Sequence, residues 1–263
     1  MSGTTTPLRS RGPAAGAEPA PPGPARLVRV ELRKAYDTRA GAWLLVAVAV
    51  AAVAVVVLQV FFDPPARSLA GHLTGAQLPV GVLLPVLGIL LVTSEWSART
   101  AGTTFGLVPR RSRVLAAKVA AAGVLAVLAV AASALVAVAG TLLTPLVTDD
   151  PADWTLTAGQ VGQVLAVQVA TVLVGVAFGM LLLSSPLAIV LYFVLPTAFT
   201  VLVNAVAALH WVRDWLDLTS TSAPMYEGLL EGRGWLRLAT SLALWLLLPM
   251  AVGWVRVLRR DVP

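Results

Sequence analysis

Cysteine is missing from all 263 residues, which excludes disulfides, thiolate catalysis and cysteine-based metal sites together. Charge is scarce: 12% of side chains are Asp, Glu, Lys or Arg, against about 25% in ordinary globular chains. Lysine is nearly absent. Lys34 follows Arg33 and Lys118 follows Ala117, so neither ends a Gly-Lys-Ser/Thr phosphate loop, and ATP hydrolysis by that route is excluded for this chain. The two histidines, His72 and His210, have no Glu or His three or four residues on, which excludes a zinc-protease helix. Both fall in segments expected outside the apolar runs and read as ordinary interfacial residues. No ionisable residue lies near the middle of an apolar run, which argues against transport coupled to a proton or sodium ion through a buried carboxylate. An intramembrane enzyme would also need a nucleophile, metal site or acid pair that the sequence does not offer.

What the chain has instead is apolar length. Hydrophobic residues make up 58%, the mean hydropathy is +0.85, and several runs reach the about 20 residues needed to cross a hydrocarbon core as a helix. The expected fold class is an all-α integral membrane protein. Six spans are predicted at 42–62, 78–94, 114–141, 161–183, 186–209 and 236–257. The second is short and carries Pro85 and Gly88, and Pro196 and Pro249 lie in the fifth and sixth. A kinked or incompletely spanning second helix is expected, tolerable only where neighbours satisfy the freed backbone.

Residues 1–25 are rich in Pro, Ala and Gly without apolar periodicity and read as a disordered cytoplasmic tail, leaving 26–263 as one membrane domain. The first apolar run is too long for a signal-peptide core, so it is expected to stay. From Arg26 to Arg39, Leu27, Val28, Leu32, Ala35 and Tyr36 fall on one side of a helical wheel. Arg26, Arg29, Arg33, Lys34 and Asp37 gather opposite. This predicts an amphipathic interfacial helix, or else a basic stretch that only orients the first span.

Alternating the loops between two sides tests the topology. Residues 1–41, 94–118 and 255–263 together hold 15 of the 19 basic and 5 of the 13 acidic residues, a sum of +10 on one side against −4 on the other. Basic segments belong in the cytoplasm, so both termini are expected there. Orientation thus accounts for the net charge of +6, and no nucleic-acid partner is needed. Trp43, Trp96 and Trp254 fall near the basic ends of spans, and Trp154, Trp211, Trp215 and Trp235 near the acidic ends, with Trp245 mid-span. Residues 210–235 form the longest acidic-side segment, and a short interfacial helix is expected around Trp211 and Trp215.

In the fourth span Gln160, Gln168, Thr171, Gly175 and Gly179 share a face. Gly175 and Gly179 form a small-xxx-small pair suited to close helix packing, and the same face could line a translocation path. Asn204 and Gln59 are the other deeply placed polar residues, and either could bond a neighbouring helix.

The segment after the second span carries Thr93-Ser94-Glu95-Trp96-Ser97-Ala98-Arg99-Thr100, then Pro109-Arg110-Arg111-Ser112-Arg113, then Lys118. It resembles the first cytoplasmic loop of ABC-2-type transporter permeases of high-GC bacteria, on Glu95, Thr100, Pro109, Arg111 and Lys118, with Arg99 where that family has Gly. The resemblance extends to Glu31-Leu32-Arg33-Lys34 and Asp37-Thr38-Arg39 before the first span and to the six-span order, over residues 26–260. It implies a multi-pass permease of the bacterial inner membrane, working as a homo- or heterodimer with a separate ABC ATPase subunit. ATP would be bound and hydrolysed on that partner, with no cofactor in this chain, and export would be the expected direction. Glu95, Arg99, Thr100, Pro109, Arg111 and Lys118 would shape or anchor the ATPase-coupling loop, while Arg29 and Arg33 would help seat the interfacial helix. The alternative is a membrane anchor or sensor that recruits a cytosolic partner and transports nothing.

Overall fold

In hydrocarbon every backbone N–H and C=O needs an internal partner, and the apolar runs meet that need as helices. The computed structural model describes residues 23–97 and 111–259. The predicted tail lies outside them except at its end, where α1 (Pro24–Asp37) starts on a proline at its first position. Then follow α2 (Arg39–Phe62), α3 (Leu69–Ser97), α4 (Arg111–Val147), α5 (Ala158–Leu182) and α6 (Ser185–Ala205). Two short helices, α7 (His210–Leu216) and α8 (Leu218–Tyr226), precede α9 (Arg233–Arg259). No strand occurs among the described residues.

Six of these helices, α2 to α6 and α9, are long and apolar enough to cross a membrane. The chain is a multi-pass helical membrane protein. Alternate spans run in opposite directions, so α1, the turn between α5 and α6, and the end of α9 share the basic end. The turns after α2 and α4, with α7 and α8, share the acidic end.

The apolar stretches of α3 and α5 are each 61% buried, against 22% for α2 and 11% for α6. The pair α3–α5 is therefore the centre of the bundle, and α2 and α6 present most of their surface outward. Close approach of the two central helices comes from glycine. A Cβ on Gly175 would overlap the carbonyl oxygen of Pro85, one on Gly179 would lie 3.1 Å from that of Ile89, and one on Gly88 would lie 2.8 Å from that of Val172.

Local chemistry sets the ends. The Thr38 hydroxyl accepts from the Gly41 amide at 3.1 Å to start α2. Thr157 and Gln160 form a capping box on α5. Leu183, left-handed at φ 54°, closes α5 by donating its N–H to the Gly179 carbonyl, and α6 begins two residues later. At the acidic end Arg67 donates to Asp150 at 2.6 Å and to the Val60 carbonyl at 2.8 Å, clasping the α2–α3 and α4–α5 turns together.

Three expectations change. The second span is a 29-residue helix, about 43 Å long, because the polar residues read as its outer boundary are part of it. Among them His72 is fully buried, with Nδ1 3.1 Å from the Thr141 hydroxyl, so it is a packing residue of α3 and not an interfacial one. The acidic-side segment holds two helices in place of one, because Asp217 caps a new helix, accepting from the Ser220 amide at 3.1 Å. Finally, α1 is rotated relative to the expected wheel. Leu27, Val28, Leu32 and Ala35 pack on the core, but Tyr36 is exposed and Glu31 is buried. The kink signals also separate: α6 runs unbroken through Pro196, while α9 contains a π-helical turn, Ala243–Leu247, just before Pro249. A proline there removes an N–H from the helical ladder, and the wider turn re-registers it.

Candidate functional site

Four charged side chains meet where α1 crosses the basic ends of α3 and α4. Lys118, in the second turn of α4, donates to Glu31 Oε2 at 2.7 Å and to the Leu91 carbonyl at 2.8 Å, with Glu95 Oε1 at 3.2 Å. Lys34 donates to Glu31 Oε1 at 2.8 Å and to Glu95 Oε1 at 2.6 Å. Glu31 thus bridges the two ammonium groups through its two oxygens, and both ammonium groups meet on one oxygen of Glu95. Two cations and two anions leave no net charge, which is the condition for burying them. The side chains of Lys118, Glu31 and Glu95 are 2%, 4% and 8% exposed, and Lys34, at 37%, closes the cluster toward the surface. For Lys34, burial works to lower the pKa, but hydrogen bonds to Glu31 and Glu95 outweigh it and the net shift is upward.

Position gives the quartet its meaning. Glu95 lies two residues before the end of α3 and Lys118 lies seven residues into α4. The cluster therefore ties α1 to both helices that flank residues 98–110.

Of the residues expected to form a coupling loop, Glu95 and Lys118 are brought together in this cluster. Arg111 turns elsewhere: its Nη1 lies 3.5 Å from the carbonyls of Val257 and Leu258, at the end of α9, where a cation meets the negative end of the helix dipole. Arg99, Thr100 and Pro109 lie outside the described residues. Arg29 and Arg33 are both on the exposed side of α1. Arg33 donates to Asp37 at 2.8 Å, and that hydrogen bond raises its pKa. The charged residues of α1 that contact the bundle are instead Glu31, which the sequence placed only in a motif, and Lys34, which the helical wheel placed on the outward polar side. A signal for them existed in the composition. Only two of the 19 basic residues are lysine, and both belong to the quartet. A compact ammonium with three donors fits between two carboxylates and a carbonyl, where a planar guanidinium would not.

The polar face of the fourth span divides. Gly175 and Gly179 pack on α3, as above. Gln160 caps the acidic end of α5, Thr171 donates to the Gln168 carbonyl at 3.0 Å, and Gln168 is fully buried. Gln59 donates to the Gly71 carbonyl at 3.2 Å, joining α2 to α3, and Asn204 donates to the Thr200 carbonyl of its own helix at 2.7 Å.

Beside these features an apolar cleft of about 220 Å³ opens between α5, α8 and α9, with Val167, Thr171, Met225 and Trp235 in its walls. No protein-family model matches the chain, and no curated protein matches it in sequence.

Proposed function

We propose that this chain is the membrane-spanning permease subunit of an ATP-driven transporter of the ABC-2 type, an exporter that works as a dimer with a separate ATPase subunit. The supporting observation is the charge quartet. A helix lying across the basic end is bonded to both helices that flank residues 98–110, so a displacement of that segment by a docked partner would move α1, α3 and α4 as one body. Force applied at a flexible joint would be lost in local rearrangement. Here the joint is locked by four short ion pairs. The wide outward faces of α2 and α6 support the dimer, since they leave room for a second copy. The basic side is the cytoplasmic side in this reading, where the ATPase resides.

Partner recovery tests the proposal. The chain is co-expressed with candidate ABC ATPase subunits from the same genome, extracted in detergent and assayed for ATP hydrolysis. A bound ATPase with stimulated hydrolysis is expected, and Arg99→Glu should lower the stimulation at least about tenfold while the permease still inserts. Recovery of the chain alone, with no ATPase and no stimulated hydrolysis, would sink the transporter reading in favour of an anchor. Glu95 is unsuitable for this assay, because its buried position makes any reversal a folding defect.

A further inference from the structure

The α3–α5 seam changes character along its length. Toward the basic end it is backbone against backbone, at Gly88, Gly175 and Gly179. Pro85 meets Gly175 and Ile89 meets Gly179, the same offset in residue number, as two parallel helices in register require. Carried about two turns toward the acidic end, that register brings Gln77 of α3 to within one residue of the level of Gln168 of α5.

Both glutamines are fully buried, and neither the carbonyl nor the amide end of either side chain has a partner among the described residues. The position a Cβ would take at Gly81, one turn from Gln77, lies 4.0 Å from Gln168 Oε1 and 3.3 Å from the Tyr226 hydroxyl. Tyr226 comes from the end of α8 and is tied to α3 at its backbone, where its carbonyl accepts from Thr74 Oγ1 at 2.9 Å. Gly81 is partly exposed although Gln77, Leu84 and Pro85 around it are buried, so the seam is open there on one side. Burial pushes the Tyr226 phenol upward from its ordinary value, which keeps it an O–H donor.

Two carboxamides left dry in a membrane bundle are costly, because no solvent is present to take their hydrogen bonds. Pairing them with each other would not suffice. Each carboxamide has two N–H donors and a carbonyl with two lone pairs, and a direct pair satisfies at most one donor and one acceptor on each side. Buried water with two to four polar partners is the ordinary solution.

We infer that Gln77, Gln168 and the Tyr226 hydroxyl line a hydrated pocket at Gly81, which holds ordered water and accepts in its place an uncharged hydroxyl- or amide-bearing ligand group. Its lining carries no charge, so it selects hydrogen-bonding capacity over ionic character. The inference stands independently of the ATPase partner, because it rests on the seam alone.

The absence of cysteine makes the native chain its own background for thiol labelling. Single variants Gln77→Cys and Gln168→Cys are prepared in membranes and treated with the small reagent methanethiosulfonate ethylammonium, whose sulfenyl sulfur is attacked by the thiolate with loss of methanesulfinate; ionisation of the thiol needs water, so the rate reports water at that position. Val176→Cys on α5 and Ala122→Cys on α4, both fully buried among apolar neighbours, serve as dry controls. Labelling of either glutamine position at least about tenfold faster than the controls is expected, with a further rise when Tyr226→Ala uncovers the pocket. Rates no faster than the controls at both positions, with or without Tyr226→Ala, would overturn hydration. Molar glycerol, an uncharged polyol, should slow labelling at Gln168→Cys and not at exposed Arg233→Cys; equal rates with and without glycerol would overturn the ligand half. Should the cysteine variants fail to fold, Gln168→Leu decides by thermal unfolding. A lower midpoint than the native chain means that a satisfied network was broken, and a higher one means that a dry amide was removed, which overturns the pocket.

Discussion

Lys118 shows how a residue type is chosen by its surroundings. Its ammonium has a carboxylate, a second carboxylate and a carbonyl within 3.2 Å and almost no solvent. Replacing it with Met would leave Glu31 and Glu95 sharing Lys34 alone, at an expected cost of about 3–5 kcal/mol. Lys118→Met combined with Glu31→Leu should recover most of that, because one cation and one anion then remain together. Thermal unfolding in detergent, followed through tryptophan fluorescence, measures both, and a double variant no better than Lys118→Met would contradict the pairing. Lys34 adds a pH dependence. Its folded pKa is raised, so its stabilisation is complete below the ordinary lysine value and is lost only as pH rises through the higher folded value. Protease release of α1 from intact membranes should therefore stay constant from neutral pH up to the ordinary lysine range and increase beyond it. Release that begins near neutrality would count against the quartet as the anchor.

Among the elements, the small-residue face of α5 separates packing from propensity. At Gly175 a methyl group would meet the backbone of Pro85, which cannot move aside as a side chain can. Gly175→Ala is expected to destabilise by about 1–3 kcal/mol through overpacking. Gly123 in α4 has open space around its Cβ position, and Gly123→Ala should be neutral or stabilising by up to about 1 kcal/mol from helix propensity. Equal effects at the two sites, read from the unfolding midpoint, would show that the α3–α5 contact does not limit stability. The sixth span is instructive in another way. Pro249 is visible in the sequence, but the π-helical turn before it brings Trp245 inward, where its indole N–H donates to the Leu216 carbonyl at 2.8 Å. A tryptophan read as the exception to the aromatic belts thus becomes the tie between α9 and the end of α7. Trp245→Phe would keep the ring contact with Phe199 and lose that bond.

For the whole molecule, the testable property is its orientation. With the basic end in the cytoplasm, a cysteine placed at Arg233 should react with a membrane-impermeant maleimide added outside intact cells. One placed at Ser97 should react only after the cells are opened. The reverse pattern would invert the topology and with it the side on which an ATPase could dock. Much of this molecule was legible before its structure, since six apolar runs, two tryptophan belts and a charge imbalance are all properties of the chain in one dimension. The outer turns of α3 were not, because His72, Thr74 and Gln77 look like a loop until His72 is seen to pack on Thr141 of α4, Thr74 to bond the Tyr226 carbonyl of α8, and Gln77 to be buried.

Hydrophobic length and charge placement along the chain determined that this protein is helical and multi-pass, because a bilayer imposes its thickness on any segment that crosses it. The tertiary structure decided which charges meet. Glu31 and Lys118 are 87 positions apart and Lys34 and Glu95 are 61 apart. Nothing local brings such residues together, and only the crossing of α1 over the ends of α3 and α4 makes one neutral cluster of them. The same holds for the two buried glutamines of the central seam, Gln77 and Gln168, which come level only because α3 and α5 pack side by side in parallel.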